Sequence, residues 1–200
     1  RAVTDGITDP ATVYERTARV SNEVAGRLAA RLRAETRGEV LFSPADCGRY
    51  ATDASIYQET PVGVFVPTRA DDVQMALDIC RDLGVPIVPR GGGTSQCGQT
   101  VGAGLVIDHS RHMRRVLGID TDQQVVEVEP GIVLDHLNAE LRSTGLWYPV
   151  DVSTSAQATL GGMAGNNSCG SRSIAYGNMV HNVLGARAWT SDGQLHRFEK

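Results

Sequence analysis

Several common signatures are missing from this chain. Its four cysteines, Cys47, Cys80, Cys97 and Cys169, stand far apart with neither a C-x-x-C pair nor a Cys/His ligand spacing. That pattern argues against a structural zinc or iron–sulfur site and makes reduced thiols the expectation. No apolar run approaches the ~18 residues of a membrane-spanning helix, and no apolar signal core is present near the first residues. A cytoplasmic protein with no transmembrane segment, at most peripheral to the inner face of the membrane, is the expectation. A basic excess is missing too: Lys and Arg total 19 against 23 Asp and Glu, for a formal net charge of −4. Such a balance gives no reason to expect a nucleic-acid partner. At 41% hydrophobic composition, 200 residues are enough to bury a core in one or two domains.

Glycine is plentiful, at 22 residues, and it is concentrated. Pro89-Arg90-Gly91-Gly92-Gly93-Thr94-Ser95 follows an apolar segment at residues 85–88. Three consecutive glycines let the backbone turn and bring several N–H groups to one phosphate without a Cβ in the way. A second run, Ala158-Thr159-Leu160-Gly161-Gly162-Met163-Ala164-Gly165-Asn166-Asn167-Ser168, again combines glycines with neutral hydrogen-bonding side chains. Two such runs can clasp a long ligand from both sides. The first has neither G-x-x-x-x-G-K-[ST] nor G-x-G-x-x-G spacing, so a nucleotide triphosphatase and a Rossmann cofactor site are both excluded.

Along the chain, residues 10–37 are rich in Ala, Leu, Arg and Glu and predict a helix stopped by Gly38. Residues 46–53 read as a polar turn from which Tyr50 and Asp53 could face a site. A strand at residues 62–66 leads to a helix ending at Gly84, with Thr68 expected as its N-cap and Asp71 three residues on. Val73, Ala76, Leu77 and Cys80 lie on one helical face, which makes Cys80 a core residue. The strand at residues 85–88 completes a β-α-β unit with the glycine loop at its carboxyl end, where α/β folds often place ligands. A strand at residues 104–108 precedes His109 and His112, which lack a third ligand at suitable spacing and read as a solvated turn. Strands follow at residues 115–119 and 124–129, then an amphipathic helix at 132–142 capped by Gly145. Residues 147–155 are non-helical and hydroxyl-rich. A strand at 183–189, a turn at Ser191-Asp192-Gly193 and a strand just begun at Leu195 close the chain, which is expected to be a piece of something longer.

The two runs, their order and their spacing resemble the FAD-binding domain of the vanillyl-alcohol oxidase and p-cresol methylhydroxylase flavoprotein superfamily. The matching pieces are Val66-Pro67-Thr68-Arg69-Ala70-Asp71-Asp72-Val73, the run from Pro89 to Ser95, Glu129-Pro130-Gly131, the stretch from Ser155 to Ser168, and Tyr176-Gly177. Asp108-His109-Ser110-Arg111-His112-Met113 and the run from Ser153 to Gly162 look most like D-2-hydroxy-acid dehydrogenases, the group of D-lactate, glycolate and D-2-hydroxyglutarate dehydrogenases. Within it they look like the long members that join FAD and iron–sulfur domains.

The resemblance implies an α+β fold: a PCMH-type FAD-binding domain over residues 41–200, cut at its carboxyl end, of two α+β subdomains with FAD between them. Residues 1–40 would be an N-terminal helical segment. It implies that Gly91, Gly92, Gly93, Thr94 and Ser95 hold the pyrophosphate; Arg90 reads equally as added positive charge nearby or as half of a surface ion pair. Ser153, Thr154, Ser155, Thr159, Gly161, Gly162, Asn166, Asn167 and Ser168 would line the opposite side of the cofactor. Pro130, Gly131 and Val183 are candidates for its adenosine half, and Tyr176 and Gly177 complete the candidate set. Members with covalently attached flavin carry histidine where Thr94 stands, so a dissociable FAD is implied. Any iron–sulfur cluster, the catalytic base and the substrate-binding residues would lie outside these 200 residues. The implied reaction is oxidation of a D-2-hydroxy acid by hydride transfer to flavin N5, with an electron acceptor the sequence does not identify. Two alternatives stay open: another FAD-dependent oxidase or reductase on the same fold, and a non-catalytic binding module that kept the loops as turns.

Overall fold

The computed structural model describes residues 20–199. Its first element, α1 (Asn22–Glu35), starts where Ser21 accepts a hydrogen bond from the Val24 amide. The part of the predicted helix before residue 20 lies outside the described residues. After β1 (Glu39–Leu41) a short helix, α2 (Pro44–Arg49), takes up residues 46–49 of the polar stretch expected to be a turn, while residues 50–53 stay irregular apart from a bridge between Thr52 and Gln58. Ser43 caps it and Pro44 occupies its first turn, where the missing N–H costs nothing.

Next come β2 (Gly63–Val66), α3 (Ala70–Leu83), β3 (Ile87–Arg90) and β4 (Leu105–Asp108). Gly84 ends α3 at φ +65°, as its sequence position suggests. The N-cap differs from expectation. Thr68 donates its hydroxyl to the Asp72 carboxylate at 2.7 Å, and Arg69 occupies the cap with no side-chain bond. Buried Asp72 draws in the Thr68 and Arg37 amides as well, and so outcompetes a cap.

The four strands form one sheet in the order β1-β2-β4-β3, with β4 parallel to both β2 and β3 and β1 antiparallel to β2. Strand alternation sorts the side chains into two layers. Phe65, Leu105 and Ile107 pack with Leu28 and Leu32 of α1 and Ile79 and Cys80 of α3, while Val64, Val66 and Val106 form a second cluster flanked by Leu41, Tyr50 and Val88. Each such burial contributes about 1.5–3 kcal/mol.

The second lobe has its own core. Strands β5 (Val116–Asp120) and β6 (Val125–Val128) pair antiparallel, and α4 (Leu134–Leu141) runs into a 3₁₀ turn ended by Gly145 at φ +75°. The small helices α5 (Leu160–Gly165), α6 (Ser173–Tyr176) and α7 (Met179–Asn182) follow, then the hairpin β7 (Gly185–Trp189) and β8 (Leu195–Glu199). Leu137, Leu141, Val150, Leu160, Met163 and Met179 are buried together here. Mixed helices and strands in two packed lobes match the α+β expectation.

Candidate functional site

The first glycine run leaves the end of β3 between the lobes. Asp108 and Arg90 pair across β4 and β3, and the His109 amide donates to the Arg90 carbonyl at 3.0 Å. Beyond this point the loop departs from the sheet. The N–H groups of Gly91, Gly92, Gly93, Thr94 and Ser95 donate to no group among the described residues. Five unpaired donors in succession, four of them on residues at least partly buried, call for an acceptor. The loop shape depends on its glycines. A Cβ on Gly92 would collide with the Gln157 carbonyl, one on Gly91 with Thr159 Oγ1, and Gly93 sits at φ +65°. The first run therefore lies directly against the Gln157 carbonyl and the Thr159 side chain, where the second run begins.

Side chains on the sheet side add positive charge. A cleft of about 320 Å³ beside Gly91 and Gly92 is lined by Arg49, Arg90 and Arg111 together with Tyr50, Asp108 and Ser110. The Arg90 guanidinium lies 5.2 Å from the Tyr50 ring centroid and donates to the Tyr50 and Thr100 carbonyls. Tyr50 Oη donates to Asp108 Oδ2 at 2.7 Å, and burial followed by that bond pushes the phenol up to about 12. Asp108 is fully engaged, since its Oδ1 accepts from the Ser110 amide and hydroxyl. Asp53, the other side chain singled out in residues 46–53, instead accepts from Ser55 and Thr100 and shapes the loop.

The second run is a helix, not a loop. Thr159 caps α5 by accepting from the Gly162 amide at 3.3 Å, and the Leu160 and Gly161 amides donate to Ile132 and Pro130. Pro130 and Gly131 thus sit between the lobes. The Gly131 amide reaches back to the Met113 carbonyl at 2.8 Å, and buried Glu129 holds the Arg115 guanidinium at 2.7 Å.

Other candidates fall into neighbouring groups. Ser153, Thr154 and Ser155 form the turn before the run, where Thr154 accepts from the Gln157 and Ala158 amides and Ser155 from the Asp135 amide. Asn167, at φ +48°, accepts from the Val180 amide, and Ser168 from the Met179 amide. Val183 packs against the second core. Tyr176 stacks edge-on with Trp147 at 5.2 Å, and Gly177 follows at φ +79°. Arg90, the first run, Pro130, Gly131, Thr159, Gly161 and Gly162 are thus drawn together, while Tyr176, Gly177 and Val183 lie on the flank formed by α6 and α7.

Sequence reasoning missed two features. His109 is half-buried: its Nδ1 is buried with no hydrogen-bond partner among the described residues, and burial pushes its pKa down. The main-chain carbonyls of His109 and Met113 lie against Gly131, and no local pattern announces the burial of the ring nitrogen. Exposed His112 pairs with Glu39 at 2.6 Å, and no cluster of three or more metal-ligating side chains occurs among the described residues. The other miss is Gln99, whose Nε2 donates to Asn166 Oδ1 at 2.8 Å.

Residues 61–199 match the family described as FAD binding domain. The chain is 40% identical over 161 residues to the D-2-hydroxyglutarate dehydrogenase of Pantoea ananatis (strain AJ13355), covering 79% of this chain and 16% of that protein. It is 35% identical over 168 residues to the glycolate oxidase subunit GlcD of Bacillus subtilis (strain 168), covering 82% and 36%. Among solved structures, an alkyldihydroxyacetonephosphate synthase superposes with a TM-score of 0.78 at 21% identity, over 88% of this chain and 38% of that one. That likeness shows the fold. The chain spans about a sixth of the first relative's length and about a third of the second's.

Proposed function

We propose, for a chain that belongs to the FAD binding domain family, that the amides of residues 91–95 hold the diphosphate of a dissociable FAD lying between the two lobes. The observation that carries this reading is the row of five unpaired amides beside an arginine-lined cleft. Neutral amide donors stabilise a diphosphate at close range without a lysine, and Arg90, anchored by Tyr50, supplies charge from a fixed position. Thr159, Gly161 and Gly162, backed by Pro130, form the facing wall, and the flank of Tyr176, Gly177 and Val183 extends it. Thr94 offers no ring nitrogen for a covalent flavin link, which supports reversible binding. We take residues 41–200 as the FAD-binding unit, whose sheet begins with β1 at Glu39 and whose first core takes in Leu28 and Leu32 of α1.

We further propose that the protein oxidises a D-2-hydroxy acid. FAD, when bound, supplies the two-electron acceptor, while this chain orients it and limits water around it. The relatives' names support the substrate class. Four unpaired thiols fit a reducing compartment, and we place the protein in the cytoplasm.

The test is anaerobic mixing of the FAD-loaded full-length protein with D-lactate, glycolate or D-2-hydroxyglutarate, with L-lactate as control, while flavin absorbance is followed. Bleaching by one of the first three and not by L-lactate supports the proposal. Bound FAD that no 2-hydroxy acid bleaches would overturn the substrate class, and a folded chain that binds no FAD would overturn the whole reading.

A further inference from the structure

Between the two runs one side chain makes the only hydrogen-bonded link from loop to helix among the described residues. Ser95, the last residue of the open loop, is buried and donates its hydroxyl to Gln99 Oε1, while its Oγ accepts from the Cys97 amide. Gln99 uses its other end, donating from Nε2 to Asn166 Oδ1 at 2.8 Å. Asn166 is the C-cap of α5, its own amide tied to the Gly162 carbonyl. One amide side chain therefore joins the end of the donor loop to the end of the facing helix, 67 residues apart in sequence. Only a group carrying both an acceptor and a donor, such as Gln, serves both partners as oriented here.

We propose that Gln99 is a positioning residue: it clamps the glycine loop to α5 and so fixes the spacing of the two walls that receive FAD. The inference rests on the FAD reading above. Without the clamp, the Gly92–Gln157 and Gly91–Thr159 contacts remain, as do the bonds from Ala54 to Gly93 and from Thr100 to Asp53, but the far end of the loop loses its tether to α5. Binding must then order it, which lowers affinity. The core is untouched, because Gln99 and Asn166 are both exposed.

The experiment is a double-mutant cycle on the full chain, with Gln99→Ala, Asn166→Ala and the double variant, read by FAD dissociation constant and by melting temperature without FAD. Exposed Gln96, in the same loop, provides the control variant Gln96→Ala. Each single variant is expected to weaken FAD binding about fivefold, the worth of one net neutral hydrogen bond, with melting temperatures unchanged. The double variant is expected to be no weaker than either single one, because both remove the same link. Multiplying losses would mean separate contacts with FAD and would overturn the clamp, as would wild-type affinity in Gln99→Ala. A wild-type chain that binds no FAD would bring down both readings; binding that ignores Gln99 would bring down the clamp alone.

Discussion

At residues 91–95 five successive amides donate to no group among the described residues, whereas in the second run, of similar composition, the amides of residues 160–163 are all engaged, with Ile132, Pro130 or Thr159. The difference comes from what precedes each run. The first leaves a parallel strand whose neighbour β4 turns away at the same level, so no strand follows to accept its N–H groups. The second begins with Thr159, whose hydroxyl caps a helical turn, and helix formation consumes the donors. Glycine content alone cannot separate the two. One run offers bond donors to a ligand; the other offers a close wall.

The largest expected effect comes from closing the gap between the runs. Gly92→Val places methyl groups where the Gln157 carbonyl stands, and should weaken FAD binding by more than about 100-fold, on the order of 3 kcal/mol. Gly165→Ala in α5, where a Cβ meets nothing within 4 Å, should leave FAD affinity unchanged. Equal losses in the two variants would erase the distinction between the runs. Gly93→Ala comes next: a left-handed residue at φ +65° costs about 1–2 kcal/mol with a Cβ, so affinity should fall by roughly tenfold. Thr159→Val should act on the other property. Loss of the cap is expected to lower stability by about 1 kcal/mol in a denaturant melt, with a smaller change in affinity.

Much of this architecture is legible in the sequence. The β-α-β unit, the helix stops at Gly84 and Gly145, the buried Cys80 and the final hairpin all follow from local rules of turn chemistry and periodicity. The glycine loop's place at a strand end was legible for the same reason. What escaped is decided by distant partners. Nothing local inserts β4 between β2 and β3, brings the Arg37 amide to Asp72, buries the His109 ring nitrogen, or joins Gln99 to Asn166. The helical state of residues 160–165 was hidden because three glycines in six residues disfavour helix, and the Thr159 cap with burial of Leu160 and Met163 overrides that preference.

The smallest expected effect separates the lobes by pH. Burial alone would raise the Asp72 carboxyl, but bonds from the Arg37 amide and from the Thr68 amide and hydroxyl outweigh it and hold its pKa below the usual range. A depressed carboxylate contributes its full stability above the unfolded pKa of about 4 and loses it as pH falls through the folded value. Asp72→Asn should therefore flatten the acid side of the stability curve below about pH 4, while FAD affinity at neutral pH stays near that of wild type. A wild-type-like acid limb would show that the first lobe does not depend on this carboxylate.

The central claim is that the open loop, and not the helix facing it, binds the diphosphate through its backbone. The most direct measurement is amide NMR of the full chain titrated with FAD. Large downfield shifts and new exchange protection are expected at the amides of residues 91–95, with the amides of residues 160–163 protected before and after. FAD that binds while the amides of residues 91–95 neither shift nor gain protection would contradict it.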